Sequence, residues 1–260
     1  MTRVAIVGVG LIGSSLALAL RERRAATELW GMDLAGVEGA AGAFDRRVDR
    51  AELARADVVV LSTPVSVIVR ELPHALSAPV VTDTGSTKRV IAAEGAAHFV
   101  PGHPMAGDPQ GGAQRARADL FEGRRWILCP EGRDPAAVAQ VEALVRAVGA
   151  EVVHLGAEEH DRAVAVTSHL PQLLASLLKG MSLQRGTDAA AGPAFEGATR
   201  VAGGPEAMWR DVFVTNADAI AAAGRDLASQ LDGALAALEK SPPDVEPALA
   251  LLARVRRVVR

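Results

Sequence analysis

The sequence predicts an α/β N-terminal domain with a mostly parallel sheet, followed by an all-α C-terminal domain. Two observations carry this. Residues 1–156 alternate short β-branched runs with helical stretches, the pattern of parallel strands joined by crossover helices. From residue 157 to residue 260 no convincing strand appears, and alanine, leucine and charged residues recur at helical spacing. The expected domains are therefore 1–156 and 157–260.

Taken in order, strands are expected at residues 3–7, 28–32, 57–61, 80–82 and 99–100, with two more at 126–129 and 151–155. Helical patterns lie between them at 11–24 and 65–76, and a further helix starts at Pro135 and closes near Gly149, the usual punctuation. In the second half, 157–180, 208–240 and 245–259 each read as helix. The stretch 208–240 is long for a surface helix, so it is expected to pack along another helix. A purely helical half of this kind suits a dimerisation domain. Gly192, Gly203, Gly204 and Pro205 mark loops.

Composition narrows the function. Hydrophobic residues make up 49% of the chain, which excludes a mainly disordered protein. A net charge of −3 gives no general basic character, so nucleic acid is not an expected partner. Four arginines in residues 254–260 read as a solvated helix end. Cys129 is the only cysteine, so no intramolecular disulfide forms; with no signal peptide evident, the expected location is the cytoplasm. The apolar run at 11–20 is too short to span a bilayer, and a soluble protein is expected. No tyrosine is present, which excludes mechanisms that need a tyrosine base.

The first strand leads into Gly8-Val9-Gly10-Leu11-Ile12-Gly13, and a helix follows at once. Between strand and helix this pattern has a mechanism. Gly8 permits the tight turn, Gly10 lets backbone approach a pyrophosphate, and Gly13 lets helix and strand pack closely. The helix N-terminus offers free N–H groups to the phosphates. The first domain is therefore expected to be Rossmann-type. Asp33 ends the second strand, 20 residues after Gly13, where a carboxylate accepts hydrogen bonds from a ribose diol. A 2′-phosphate there would meet like charge, and Leu34 and Ala35 supply no arginine, so NAD is expected over NADP. Leu11 and Ile12 belong to the same cofactor site, as do Ser62, Thr63 and Pro64 just past the strand at 57–61. No metal is assigned.

Of six histidines, His74, His98 and His154 are expected to be structural or at the surface. His103 differs. It sits in Gly102-His103-Pro104-Met105-Ala106-Gly107, past the end of the strand at 99–100, and ligands of open parallel sheets bind at that edge. With an ordinary pKa near ~6.5, it can accept a proton from an alcohol as hydride leaves. Thr82-Asp83-Thr84-Gly85-Ser86-Thr87-Lys88 opens onto the same edge. Ser86 there is placed to bond a substrate or the histidine, and Lys88 either binds an anion or starts the next helix; alone, the segment is no more than a helix cap. In Ser168-His169-Leu170-Pro171, the proline frees a backbone carbonyl and kinks the chain. His169 is then either offered to a carbonyl or ligand, or buried and capped.

Together these segments resemble the prephenate and arogenate dehydrogenase family of tyrosine biosynthesis, over nearly the whole chain. The resemblance rests on GVGLIGSSLALAL, TDTGSTK, GHPMAG with a following DLFEGRRWILCP, the pair His160-Asp161, SHLP, and TRVAGGPEAMWRD. It implies a nucleotide-binding domain plus a helical domain that forms a homodimer. It also implies NAD-dependent oxidative decarboxylation of prephenate to 4-hydroxyphenylpyruvate, of arogenate to tyrosine, or both. By that resemblance His103 takes the proton from the ring hydroxyl, and Ser86 hydrogen-bonds that histidine and the hydroxyl. Arg200 grips the substrate carboxylate with its planar fork. His169 and Trp209 line the substrate pocket, with Ser168 and Gln172 beside them.

Two departures bear on specificity. Where prephenate-preferring members commonly read SHLPH, the last position is Gln172, which leaves the choice between the keto acid and the amino acid open. Three positions before Arg200 stands Gly197 rather than an acidic residue, with Glu196 one step further. The chain ends at Arg260, so no regulatory ACT domain is expected. A β-hydroxyacid dehydrogenase is an alternative, with Lys179 its only central lysine candidate. A non-catalytic NAD-binding module is another; it would not need His103, Ser86 and Arg200 together.

Overall fold

The computed structural model describes residues 3–33, 38–108 and 110–258, with side chains to residue 254. The first half opens with β1 (Arg3–Val7), α1 (Leu11–Glu22), β2 (Glu28–Met32), β3 (Arg46–Arg47) and β4 (Val58–Leu61). It continues with α2 (Val65–Ala75), β5 (Val80–Asp83), α3 (Arg89–Ala93) and β6 (Phe99–Val100). These six strands form one wholly parallel sheet in the order β3-β2-β1-β4-β5-β6. The order reverses between β1 and β4, and ligands of such open sheets bind beyond the strand ends at that switch point. Gly8–Gly13 follow β1 and Ser62–Pro64 follow β4, so both segments lie there.

β1 is apolar on both faces because it is covered on both. Val4 and Ile6 join the core under α1 and α4, whereas Ala5 and Val7 join the core under α2. A second, three-stranded sheet follows: β7 (Gly102–Pro104), β8 (Arg125–Leu128) and, after α4 (Pro135–Ala147), β9 (Glu151–His154). β7 runs antiparallel to β8, and β8 parallel to β9. β3 and β7, of two and three residues, are too short to show a period in the sequence. His103 therefore sits inside a strand of this second sheet, opposite Ile127, rather than in a loop beyond the main one.

The second half is helical: α5 (Ala157–Val164), α6 (Leu170–Arg185), α7 (Pro193–Thr199), α8 (Glu206–Thr215), α9 (Ala217–Leu238) and α10 (Glu246–Val258). The helix expected at 157–180 is distorted at its proline, as expected, and the one expected at 208–240 is broken. Pro171 has no N–H to donate to the carbonyl of Thr167, and the ladder opens to a π-helical turn over Ala165–His169 between α5 and α6. The stretch 208–240 divides at Asn216, whose φ of −131° is not helical and whose side chain bonds neighbouring elements instead. α9 packs along α10 and against α6, as its length required. Among the described residues, no helix is long and apolar enough to cross a membrane.

Candidate active site

The three glycines after β1 differ in what holds them: Gly8 and Gly13 leave no room for a side chain, and Gly10 borders open space. Gly8 has φ +95°, and a Cβ on it would lie 2.3 Å from the carbonyl oxygen of Ser62. A Cβ on Gly13 would lie 2.0 Å from the carbonyl oxygen of Gly8, so α1 could not pack as it does. A Cβ on Gly10 would meet nothing within 4 Å, which leaves open space over the backbone. Gly10 begins α1, and no side chain caps the helix there. Leu11 is buried and Ile12 half-buried at the same helix start. Asp33 accepts a hydrogen bond from the Val9 N–H at 3.3 Å, which holds its carboxylate against the loop. Ser62 Oγ accepts from Thr84 Oγ1 at 3.1 Å, and Pro64 begins α2. The enclosed hydroxyl of Thr63 has no hydrogen-bond partner among the described residues. Open backbone at an uncapped helix start and an unsatisfied hydroxyl beside it fit a dinucleotide. Leu34 and Ala35 lie outside the described residues.

His103 is half-buried, and its Nδ1 lies 2.8 Å from Nε2 of His160. The Nδ1 of His160 lies 2.8 Å from Oδ1 of Asp161. Both His160 and Asp161 are fully buried on the inner face of α5. Asp161 also accepts from the backbone N–H of Lys88 at 2.7 Å and of Arg89 at 3.0 Å, and from Arg89 Nε at 3.2 Å. Asn216 donates to the Asp161 carbonyl oxygen at 2.8 Å.

These surroundings set the protonation states. Burial pushes His103 well below the ordinary histidine value, and nearby His160, Lys88 and His169 act in the same direction. Burial lowers His160 too, against the pull of Asp161. Burial opposes charge on Asp161, but the hydrogen bonds from His160 and from the Arg89 and Lys88 N–H groups outweigh it and keep its pKa below the usual range. His103 is thus a neutral base at neutral pH.

Lys88 does not bind an outside anion. It precedes α3 and is fully buried, with its ammonium paired to Asp83 and donating to the Gly102 carbonyl at 2.6 Å. Asp83 in turn accepts from the N–H of Gly85 at 2.7 Å and of Gly102 at 3.1 Å. This buried pair fixes the residue next to His103. Ser86 is half-buried and makes no hydrogen bond among the described residues, so the expected bond to His103 is not formed here; His160 takes that place.

The helical half brings most of the other predicted residues together. His169 is buried in the π-turn and faces the Trp209 ring edge-on at 6.1 Å. Its Nδ1 meets the Asn216 amide at 3.2 Å rather than a backbone carbonyl, and burial lowers its pKa to about 4. Gln172 is buried and donates to the Gly203 carbonyl, while Gly204 lies against the Trp209 indole nitrogen. His169, Gln172 and Trp209 therefore share one neighbourhood with the 203–204 loop. Arg200 ends α7, three residues before that loop; it is exposed and has no ion pair among the described residues. Ser168 is exposed on the outer side of the π-turn. Lys179, the lysine of the alternative reading, is exposed on α6 with its ammonium over the Phe195 ring.

His160, Asp161 and Asn216 received no role from the sequence. One signal was present: a histidine–aspartate pair on the buried side of an otherwise charged helix demands partners. The remaining histidines lie outside this cluster. His98 meets the Leu76 carbonyl, His154 meets Glu142, and His74 is exposed.

A doubly wound nucleotide-binding sheet, followed by a helical domain that completes a buried histidine cluster, defines a class of two-part, dinucleotide-type proteins. Within that class the chain belongs to the prephenate dehydrogenase family. The family model "Prephenate dehydrogenase, nucleotide-binding domain" matches residues 16–154, and "Prephenate dehydrogenase, dimerization domain" matches 156–250. A prephenate dehydrogenase of Bacillus subtilis is 32% identical over 240 residues, covering 84% of this chain. The chain spans 65% of that relative's length. A crystal structure of prephenate dehydrogenase from A. aeolicus, in complex with hydroxyphenyl propionate and NAD+, superposes with a TM-score of 0.83 at 26% identity. It covers 100% of this chain and 99% of that one. A Synechocystis arogenate dehydrogenase structure gives a TM-score of 0.79 at 26% identity, covering 100% of both chains.

Proposed function

We propose that this protein is an NAD-dependent dehydrogenase that oxidatively decarboxylates prephenate to 4-hydroxyphenylpyruvate, arogenate to tyrosine, or both. The observation that carries the reading is His103: a neutral, half-buried imidazole anchored at Nδ1, with Nε2 left for a substrate. The two family matches and the NAD+ bound in the A. aeolicus relative support the rest.

Residues 1–156 hold the cofactor in this reading, and 157–260 hold the substrate and the dimer contact. Backbone at Gly8, Gly10, Leu11, Ile12 and Gly13 would hold the pyrophosphate, with Ser62, Thr63 and Pro64 beside it, and Asp33 would accept from the ribose diol and favour NAD over NADP. When bound, NAD+ supplies the hydride acceptor. His103 Nε2 accepts the proton as the substrate O–H bond breaks, and the ring C–H bond breaks with its electron pair leaving as hydride. The resulting dienone loses CO₂, the ring becomes aromatic, and the proton returns to the phenolate oxygen. Ser86 bonds the hydroxyl, Arg200 grips a carboxylate, and Ser168, His169, Gln172 and Trp209 shape the pocket. A homodimer through the helical half is supported by the dimerization-domain match and by exposed Leu231, Leu235, Leu238, Leu249 and Leu252 on α9 and α10.

The test is kcat/KM for prephenate and for arogenate, each with NAD+ and NADP+, followed by reduced-cofactor absorbance. Turnover of at least one substrate with NAD+ is expected, with a loss of about 10²–10⁴ in kcat for His103→Asn. No turnover of either substrate by a folded, NAD-binding protein would overturn the reading.

A further inference from the structure

Resting on the assignment of His103 as the base, we infer that Asp161 and His160 are positioning residues that hold His103 in the one tautomer whose Nε2 is free to take the substrate's proton. The inference follows from donor and acceptor capacity along two 2.8 Å contacts. An ionised carboxylate only accepts, and a neutral imidazole has one donor and one acceptor nitrogen. Asp161 is ringed by donors: the N–H of Lys88, the N–H and Nε of Arg89, and His160. The hydrogen between Asp161 and His160 therefore sits on His160 Nδ1. That leaves His160 Nε2 as an acceptor, and the only hydrogen available for the next contact is on His103 Nδ1. His103 Nε2 then carries the lone pair.

The same chain supports the charge that arises in the reaction. When Nε2 takes the proton, His103 becomes an imidazolium, and its Nδ1–H bond to His160 becomes charge-assisted. Asp161 lies at the far end, so the positive charge points down a polarised chain toward a carboxylate. This is the role of the orienting carboxylate in a serine-protease triad, with one imidazole inserted. The groups facing this chain are few. His169 and Lys88 face His103, Lys88 and Asp83 face His160, and the Lys88 charge is matched by Asp83. The anchor also joins the two halves: Asp161 comes from α5, its donors from the start of α3, and Asn216 from the break between α8 and α9.

The experiment measures the His103 ring nitrogens by long-range ¹H–¹⁵N NMR, in cofactor-free protein at neutral pH. It compares wild type with His160→Phe, which keeps a ring but no acceptor, and His160→Gln, which restores an acceptor oxygen. Wild type is expected to carry hydrogen on Nδ1 alone; His160→Phe is expected to move it to Nε2, and His160→Gln to recover the Nδ1 form in part. In turnover, His160→Phe should lower kcat by about 10- to 1,000-fold, with KM for NAD+ changed little. Hydrogen on Nε2 in wild type, or an unmoved tautomer in a folded His160→Phe, overturns the inference; if that variant does not fold, the wild-type spectrum decides. A wild type that shows the Nδ1 tautomer but turns over neither substrate sinks the functional reading instead.

Discussion

Replacing Lys88 with methionine tests how the residue before His103 is held. Lys88 and Asp83 are each 0% exposed, and methionine keeps most of the length and shape while removing the charge. Asp83 would retain its two backbone N–H donors, from Gly85 and Gly102, and lose the ammonium. The Gly102 carbonyl would lose its donor at 2.6 Å. Removing one partner of a buried ion pair leaves an uncompensated charge and costs about 3–5 kcal/mol. Against a total stability of roughly 5–15 kcal/mol, that is a large fraction. With a urea m-value of about 3 kcal/mol/M, the midpoint should fall by roughly 1–1.7 M. Lys240→Met is the control, because the Lys240–Asp244 pair is 61% and 38% exposed and contributes at most about 1 kcal/mol. The double variant Asp83→Asn/Lys88→Met removes the orphaned charge and keeps an acceptor oxygen for one of the two N–H groups, which bond different oxygens of Asp83, so it should recover part of the loss and be more stable than Lys88→Met alone. Equal midpoints for Lys88→Met and Lys240→Met would refute the reasoning, as would a double variant less stable than Lys88→Met.

Four further outcomes are expected. Gly13→Ala places a Cβ 2.0 Å from the Gly8 carbonyl, so α1 must shift; NAD+ affinity by calorimetry should fall at least about tenfold, and an unchanged Kd contradicts the close-packing role. Asp33→Ala should lower the ratio of kcat/KM for NAD+ over NADP+ in steady-state assays, whereas a wild-type preference for NADP+ would overturn the role given to Asp33. Arg200→Ala should raise the substrate KM with a smaller change in kcat, and an unaltered KM counts against carboxylate binding. Acid should destabilise the fold: His169 has its pKa lowered to about 4, so between the ordinary ~6.5 and that value the unfolded chain binds a proton the folded one does not. Stability should fall through that window by up to about 3 kcal/mol, His103 adding in the same direction, and urea midpoints that stay level from pH 7 to pH 5 would contradict it.

What the sequence revealed and what it concealed divide along the range of the interactions. β1, the glycine turn and α1 are specified by adjacent residues, and their bounds agree with the sequence to within two residues. The tie of Gly8 to the Ser62–Thr63 loop lies across the switch point, yet glycine's tolerance of φ +95° leaves a local mark. β7 leaves no such mark, because three residues including a proline become a strand only through pairing with β8 some twenty residues later. The helix break at Pro171 is written into the sequence; the break at Asn216 is not, since helical periodicity runs through it and only tertiary hydrogen bonds select the turn. His160 and His103 are 57 residues apart, and nothing short of the packed fold could bring their rings to 2.8 Å. Each residue type was readable as a candidate; their association was not.

That association lies at a seam where the helical half is tied to the first half at several points. Asp211 of α8 accepts from the N–H and hydroxyl of Ser66 at 3.0 and 2.7 Å, which places a carboxylate on the first turn of α2, directly after the Ser62–Pro64 segment. Thr215 meets Thr87 at 2.8 Å, and Arg89 pairs with Asp218 as well as Asp161. Trp209 lies on the same helix as Asp211, two residues away, so the tie that fixes α8 against α2 also fixes the Trp209 ring, and through it His169, relative to the segment after β4. His103 is held from the other direction, by Lys88 through Gly102 and by α5 through His160. His103, Trp209 and the segment after β4 are thus referred to one seam between the two halves. A rotation of one half against the other would part His103 from His160 and Ser66 from Asp211 together, so the setting of His103 depends on the seam.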